Sequence, residues 1–136
     1  MTKFAAYGTQ LLKGATPIAN ITNVSGPGLS ADTEDVTSHD STAAWEEHVV
    51  TILRSGEVSL DLVYDPAAAT VKNAAGGLIY DMASRTANTY SIKFSDTAVT
   101  TWSFNAFVTG FEPSAPHDGA LTASCMLKLT GQPTLV

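Results

Sequence analysis

The chain has 136 residues, a length that suits one domain. Hydrophobic residues make up 44% of it and charged residues only 15%, below the share of about 25% that is usual in soluble domains. The formal charge of −6 excludes the Lys/Arg-rich stripe that ordinary nucleic-acid binding needs. Because so few charges remain to cover the surface, we predict that identical neighbouring chains cover part of it.

The sequence has no feature of a membrane or secreted protein. The start MTKFAAYGTQLLKG lacks a charged segment followed by a sustained apolar run, and no apolar stretch of about 18 residues occurs. Cys125 has no partner for an internal disulfide and falls in an alternating strand pattern, so we predict a buried thiol and a reducing compartment. We therefore expect a protein that is soluble and cytoplasmic when it is made.

The first part of the chain is predicted to contain one strand and a long loop. PIANITNV has the pattern of a strand, and SGPGLS has the composition of the loop after it. A partly ordered loop is predicted from Asp32 to Ser55. A short helix in AAWEEHVVTIL is the alternative, although the β-branched residues Val49, Val50 and Ile52 resist it.

Two short strands and a helix are predicted in the middle of the chain. EVSLDLVY and TYSIKF alternate apolar and polar residues with period two, as half-buried strands require. Between them, apolar residues recur every three or four positions from Ala67 to Arg85, which is the period of a helix lying on a sheet. Gly76-Gly77 weakens this prediction, so the helix is expected to bend or to begin late.

Two longer strands are predicted to close the chain as a hairpin. In TTWSFNAFVTGF the core face is assigned alternate residues from Trp102 to Val108, and Phe107 and Phe111 are placed on the opposite face. A strand that is apolar on both faces is covered twice, by the core and by something else. EPSAPHDG has the chemistry of a turn, and ALTASCMLKLTG alternates again. The elements together predict a mainly β protein, a β-sandwich or barrel of antiparallel strands with one flanking α-helix.

No pattern in the sequence indicates catalysis or a bound cofactor. The three histidines lack the spacing of a helix-borne zinc site, and there is no G-x-S-x-G elbow. SGPGLS and NAAGGLIY lack the spacing and the lysine of a phosphate loop. The acidic stretch from Asp32 to Asp40 lacks the ordered positions of a calcium loop and is interpreted as a solvated loop. We therefore predict a protein that is not an enzyme and has no cofactor or metal.

Some apolar residues have two interpretations. Core packing is preferred for Trp102. For Trp45, Phe107 and Phe111, packing inside the domain and contact with another chain are equally good interpretations, because aromatic residues are enriched at interfaces. The residues selected as candidates for self-assembly are Trp45, Val49, Ile52, Phe107 and Phe111.

Several phrases, taken in order, resemble the major tail tube proteins of siphovirus-type bacteriophages. ITNVSGPGLSADTEDVTSHDS resembles the family's Pro-Gly turn followed by an acidic stretch, here with Asp35, Thr37 and Ser41. SGEVSLDLVYDP resembles its strand that begins with Gly-Glu and ends in Asp-Pro. WSFNAFVTGFEPSAPHDGALTASCMLKLTGQPTL resembles its closing hairpin and the tail after it. These phrases span nearly the whole chain.

The resemblance implies a phage tail tube fold, in which hexameric rings stack into the tube that delivers DNA to the host. It implies one domain, residues 1–136, with an N-terminal arm at 1–14, a long stacking loop at 32–55 and a C-terminal arm at 131–136. The implied partners are further copies of the chain, the tape measure protein, and the tail terminator and baseplate or distal tail proteins. The protein would be assembled in the host bacterial cytoplasm and reside in the virion tail, without membrane contact.

A tube that conducts DNA is expected to repel phosphates, so that DNA passes through it without specific binding. The candidates to line its lumen are acidic residues on or beside polar strand faces: Glu57, Asp61, Asp96 and Glu112. Two alternatives stay open. One is a tail terminator or head-completion protein that forms a ring without stacking, and the other is a monomeric β-sandwich that binds a ligand through Trp45 or Trp102.

Overall fold

The computed structural model describes residues 3–135, so residues 1, 2 and 136 of the predicted terminal arms lie outside the described part. Its elements are nine strands and one α-helix, with a 3-10 turn at Thr42–Ala44. In chain order they are β1 (Gln10–Lys13), β2 (Thr16–Pro17), β3 (Ile21–Ser25), β4 (Ser30–Asp35), β5 (His48–Arg54), β6 (Glu57–Val63), α1 (Leu78–Ser84), β7 (Asn88–Lys93), β8 (Thr101–Ser114) and β9 (Thr122–Leu135).

Seven strands form one antiparallel sheet in the order β2-β1-β7-β8-β9-β6-β3, and β4 and β5 form a separate two-stranded sheet. β1 lies next to the edge strand β2, and β3 is the strand at the opposite edge of the large sheet. Because β1 contacts β3, the sheet curls on itself. Twisted sheets with long strands curl in this way, and β8 and β9 have 14 residues each. The mainly β class, the antiparallel strands and the flanking helix are confirmed, and the large sheet has the form of an incomplete barrel.

The core lies on the inner face of the curled sheet. Along β6, Val58, Leu60 and Leu62 are buried and the residues between them are exposed, which confirms the alternation predicted for this strand. β9 follows the same rule through Leu127 and Leu129. Full burial of each such side chain contributes about 1.5–3 kcal/mol to the free energy of unfolding. Residues on the other, outer face of β6, β9 and β8 are free to contact solvent or another chain.

Cys125 lies on the inner face of β9, as predicted, and burial raises the pKa of its thiol to about 12. We expect the folded protein to resist a thiol reagent even near pH 9, where an exposed cysteine is largely thiolate. In urea, which unfolds the sheet, one thiol per chain should react. Fast labelling of the folded protein at pH 9 would contradict the burial of this side chain.

The β8–β9 hairpin is confirmed, but the predicted position of Phe111 is wrong. Phe104 and Val108 face the core and Phe107 faces outward, as predicted. A β-bulge between Val108 and Gly110 then shifts the alternation by one residue. Phe111 therefore lies opposite Cys125 and packs on the core, with its ring 5.5 Å from that of Tyr64.

The helix begins later than the residue spacing predicted. Turns occupy residues 67–77, and α1 starts at Leu78, where the period of three to four residues predicted a helix from Ala67. Gly76 has a φ of +95°, and a Cβ at Gly77 would overlap the carbonyl oxygen of Lys72. The two glycines make the tight turn from which the helix starts, and a longer helix would not leave room for it.

A buried polar cluster fastens α1 to the sheet. Asp81 of the helix is 5% exposed. Its Oδ2 lies 2.5 Å from the Lys13 Nζ of β1 and accepts a hydrogen bond of 3.1 Å from the Tyr90 hydroxyl of β7. Burial, with the Asp81 charge beside it, raises the pKa of Tyr90, so the hydroxyl stays a donor. The Asp81 carboxylate thereby forms an ion pair with β1 and accepts a hydrogen bond from β7.

Parts of three segments predicted as arms or loop are strands. Residues 10–13 form β1, in which Leu11 is fully buried, and residues 131–135 continue β9. The predicted loop from Asp32 to Ser55 is in large part the hairpin of β4 and β5. The reason is local, since the run Val49–Ile52 consists of β-branched residues that favour a strand.

Candidate self-assembly surfaces

The hairpin of β4 and β5 with the tip between them, residues 30–54, projects from the sheet and is called the arm here. Its two strands pair with each other, and neither makes a substantial contact with another strand or helix. Every residue of β5 is exposed. No other strand or helix of residues 3–135 buries the apolar side chains of the arm. A two-stranded hairpin of this kind is only marginally stable alone in water.

Apolar side chains occupy both faces of the arm. A β-bulge divides β5, so that Val50 and Leu53 lie on one face and Val49 and Ile52 on the other. Leu53 is 78% exposed and Ile52 is 55% exposed. Two sides of the arm are therefore available for burial against other chains.

The tip of the arm, residues 36–47, holds its shape through side-chain hydrogen bonds. Ser41 Oγ donates to Glu47 Oε2 at 3.0 Å, and the Glu47 amide donates to Thr37 Oγ1 at 2.8 Å. Trp45 lies within this ordered tip and is 75% exposed. A large aromatic side chain on an ordered loop loses little entropy on binding, which is the property of an interface anchor.

The neck that joins the arm to the sheet is closely packed backbone. A Cβ at Gly56, whose φ is +70°, would overlap the carbonyl oxygen of Gly28. We expect Gly56→Ala to lower the free energy of unfolding by about 2–4 kcal/mol, from the left-handed backbone and the clash together. Gly14→Ala is the matched control, because Gly14 has a φ of +62° and open space around it. If urea unfolding gave equal losses for both variants, the close packing of the neck would be refuted.

The base of the arm carries an exposed ion pair. Arg54 donates to Asp32 Oδ2 from Nη2 at 2.7 Å and from Nε at 2.9 Å. These hydrogen bonds lower the pKa of Asp32, and hydrogen bonds from Thr37 lower the pKa of Asp35. A carboxyl group with a lowered pKa stabilises the fold above its ordinary pKa, and this contribution is lost as the pH falls through the lowered value.

Acid should therefore loosen the arm before it unfolds the sheet. We expect hydrogen-exchange protection factors of the β4 and β5 amides to fall between about pH 5 and pH 2, while those of β6 and β9 hold. Asp32→Asn, which removes one titrating group, should make the fall shallower. Equal loss of protection in both sheets would contradict this expectation.

Three of the four acidic candidates lie on the outer face of the large sheet. Asp61 of β6 and Glu112 of β8 both pair with Ser124 of β9, so the three residues form a row across the sheet. Ser124 Oγ donates to Asp61 Oδ1 at 3.1 Å. Glu57 precedes Asp61 on the same face of β6 and lies opposite Lys128 of β9. The Glu57 Oε1 atom is 3.9 Å from the Lys128 Nζ atom. The row of Asp61 and Glu112 therefore leaves this face negative.

Asp96 does not belong to that row. It lies in the turn between β7 and β8, where its carboxylate accepts the Thr100 amide at 2.7 Å and the Thr100 hydroxyl at 2.6 Å. These hydrogen bonds lower the pKa of Asp96. Its position after a strand suggested a polar strand face, but in the structure the side chain closes a turn.

The five self-assembly candidates separate into three places. Trp45, Val49 and Ile52 lie together on the arm, Phe107 is 39% exposed on the outer face, and Phe111 packs against the core. Leu53 was not selected from the sequence, although it is the most exposed apolar residue of β5. The unbroken apolar run in HVVTIL is the signal that would have identified it.

A cleft of about 890 Å³ lies between the N-terminal segment and the edge strand β3. Its apolar walls come from Phe4 and Tyr7 before β1, Ile21 and Val24 of β3, and Phe94 after β7. Tyr7 is 95% exposed. Sequence reasoning missed this surface, because its walls come from three segments that are distant along the chain.

Among residues 3–135, no group of three or more His, Cys, Asp or Glu side chains is placed to hold a metal ion. Every buried side-chain nitrogen or oxygen of these residues has a hydrogen-bond partner. In the same part of the chain, no helix has the length and apolar character needed to cross a membrane.

The fold is mainly β, and it exposes apolar side chains on the arm and beside the cleft. A family model described as "Lambda phage tail tube protein, TTP" matches residues 4–136. The chain therefore belongs to the lambda phage tail tube protein family, a family of structural tail components. This confirms the resemblance recognised in the sequence.

Solved structures share the fold at low sequence identity. A chain in the virion of a native gene transfer agent particle has a TM-score of 0.76 at 15% identity, over 98% of this chain and 99% of that chain. A chain in the extended sheath/tube terminator of the PVC extracellular contractile injection system has a TM-score of 0.75 at 15% identity, over 100% and 98%. A chain in the tube terminating cap of the anti-feeding prophage has a TM-score of 0.72 at 15% identity, over 100% and 92%. No curated protein matches the chain.

Proposed function

We propose that this protein is the repeating unit of a phage tail tube, and that its copies form hexameric rings which stack into a conduit for DNA. The observation that carries the proposal is the arm, a hairpin with apolar residues on both faces whose strands make no substantial contact with another strand or helix of residues 3–135. Membership of the tail tube family supports the tube role. No reaction is catalysed in this function.

The edges of the large sheet support ring formation. β2 and β3 are the terminal strands of the sheet, and each has a neighbour on one side only. Open edges invite uncontrolled pairing with other chains. A closed ring of subunits whose sheets join edge to edge would remove these edges while using the same contact at every step.

The outer face of β6, β9 and β8 is the surface that we assign to the lumen. Asp61 and Glu112 keep it negative, and Lys128 offsets the charge of Glu57. The same charges repeated in every ring would repel phosphates, so DNA would pass without specific binding. Asp96 is left out of this lining because its carboxylate closes a turn.

Partners of the tube follow from the proposal. They are further copies of the chain, the tape measure protein in the lumen, and the tail terminator and baseplate or distal tail proteins at the two ends. Chains with this fold occur in structures of a tube terminator, a tube terminating cap and a baseplate. Assembly would take place in the host bacterial cytoplasm, and the product would be the virion tail.

A tail terminator that forms one ring without stacking is the second candidate. It is favoured by the chains of this fold in a sheath/tube terminator and in a tube terminating cap. The two functions differ in whether rings extend.

Electron microscopy of the concentrated protein, with and without baseplate complexes of the source phage, tests the proposal. Long hollow tubes with sixfold symmetry in cross-section are the expected result. Single rings that never extend would replace the tube by the terminator. Monomers under both conditions, established by sedimentation, would overturn both candidates.

A further inference from the structure

We infer that the β2 edge, the side of β2 that faces away from β1, accepts hydrogen bonds but donates none. This edge therefore pairs with the β3 edge of a second copy and not with another β2. The inference rests on the proposed ring and adds to it the direction of the contact. Pro17 and Thr70 are the residues that give the edge its direction.

Along β2 itself, every backbone N–H group is absent or turned toward β1. Residues of an antiparallel ladder alternate between bonded and non-bonded pairs. The Ile18 amide donates to the Leu11 carbonyl of β1 at 2.8 Å, so Thr16, two residues earlier and opposite Lys13, also bonds toward β1. Pro17 takes the outward position between them, and proline has no N–H group.

The next outward position, Ala19, is blocked by a side chain. Its amide donates to Thr70 Oγ1 at 3.2 Å. Thr70 comes from the turns before α1, and its carbonyl accepts the Leu78 amide at 3.1 Å where the helix starts. The segment that leads into α1 therefore occupies the outward donor that follows Pro17.

The outward carbonyl group of the same edge is open. Pro17 faces Leu12 in a non-bonded pair, so its carbonyl points away from β1. No backbone amide of residues 3–135 donates to this carbonyl, and both residues of β2 are exposed. An edge of this kind can bond only to a strand that supplies N–H groups.

The β3 edge supplies such groups. The Val63 amide of β6 donates to the Asn20 carbonyl at 2.9 Å, so Val63 and Asp61 bond toward β3, and Leu60 bonds toward β9. Val24 of β3 lies opposite Leu60, and its N–H and carbonyl groups therefore point away from β6. Within residues 3–135, β3 has no paired strand on that side.

The two edges are complementary, and two β2 edges are not. A β2 edge against another β2 would set acceptor against acceptor, whereas β2 against β3 sets acceptor against donor. The contact is then heterologous, the kind that repeats around a ring, and a two-fold pair through β2 is disfavoured. Open edges are a hazard in a free subunit, and Pro17 and Thr70 lower this hazard at β2 before assembly.

Amide hydrogen exchange of the wild-type protein, in the free chain and in assembled tubes, tests the inference. In the free chain the Ala19 amide should be protected and the Val24 amide should exchange freely. Assembly should slow exchange at Val24 about tenfold or more and leave the rate at Ala19 unchanged. An Ala19 amide that is protected only in tubes would overturn the inference, because it would then donate across the contact.

Adding donors back to the edge is a second test. Pro17→Val supplies an outward N–H group, and Thr70→Val, which keeps the shape of the side chain, releases that of Ala19. The double variant should form dimers at concentrations where wild-type protein sediments as a monomer, with the new amide at position 17 protected from exchange. The matched control Pro116→Val/Thr86→Val makes the same chemical changes outside the strands and should stay monomeric. Equal sedimentation of the two double variants would show that missing donors do not keep β2 from pairing.

Failure of this inference and failure of the proposed function give different results. If tubes form without new protection at Val24, the direction assigned to the contact is wrong and the tube proposal stands. If wild-type protein never associates, the proposed function fails. In that case the Ala19 amide and the Pro17→Val/Thr70→Val variant still decide whether β2 lacks donors.

Discussion

The double variant Ile52→Thr/Leu53→Thr is expected to fold normally and to lose self-association. Both side chains lie on the arm, on opposite faces of β5, and β5 makes no substantial contact with any strand or helix of residues 3–135 other than β4. Threonine is β-branched, a shape that suits a strand. The free energy of unfolding should therefore change by no more than about 0.5 kcal/mol, as for other exposed positions.

The loss of assembly has a size that follows from burial. An apolar side chain of this size contributes up to about 1.5–3 kcal/mol when it is fully buried. Losing two such side chains from each contact corresponds to a dissociation constant that is about 10²–10⁴-fold higher. Sedimentation velocity over a range of concentrations measures the association, and urea unfolding measures the fold.

Leu127→Ala is the matched control for this pair of measurements. Leu127 is fully buried in the core, so its truncation should cost about 2–5 kcal/mol of unfolding free energy. Where Leu127→Ala protein is still folded, it should retain the arm and its contacts. Tubes of normal length from the Ile52→Thr/Leu53→Thr protein would rule out the arm as the assembly surface.

The Asp81→Ala variant is expected to lose about 3 kcal/mol of unfolding free energy. Removing one member of a buried ion pair costs about 3–5 kcal/mol, because the other charge is left buried without a partner. Lys13 is 20% exposed and can partly reach water, which puts the expected loss at the lower end. Urea unfolding of purified protein gives the measurement.

Tyr90→Phe separates the two contacts of Asp81. It removes only the hydroxyl that donates to Asp81 Oδ2 and leaves the ion pair with Lys13 in place. Its cost should be about 1 kcal/mol, the usual net value of a single hydrogen bond. A loss for Asp81→Ala no larger than that for Tyr90→Phe would show that the carboxylate does not fasten α1 to β1.

The faces predicted for side chains are confirmed where the direction of a side chain depends only on its neighbours in the sequence. In β6 and β9, apolar and polar residues alternate strictly, and the structure buries the residues that the alternation selected. Phe111 shows where this reasoning stops. Its face depends on one extra residue in β8, and the bulge exists because of how β8 pairs with β9.

The acidic row and the cleft could not be predicted from the sequence, because they depend on strand register and on segments that are distant along the chain. Asp61 and Glu112 are 51 residues apart in the sequence and share Ser124 as their cross-strand neighbour, which only the pairing of three strands can produce. The arm was predicted as a loop because the pairing of β4 with β5 cannot be read from one segment, although the β-branched run Val49–Ile52 favours a strand. The cleft is formed by residues from before β1, from β3 and from after β7.

The sequence by itself determined the mainly β class, the closing hairpin, the buried thiol of Cys125 and the family, because local alternation and ordered motifs carry that information. Tertiary structure alone decided which face Phe111 occupies and that residues from before β1, from β3 and from after β7 form one cleft. The physical reason is that these features arise from contacts between segments far apart in the chain, whose energies no single segment contains.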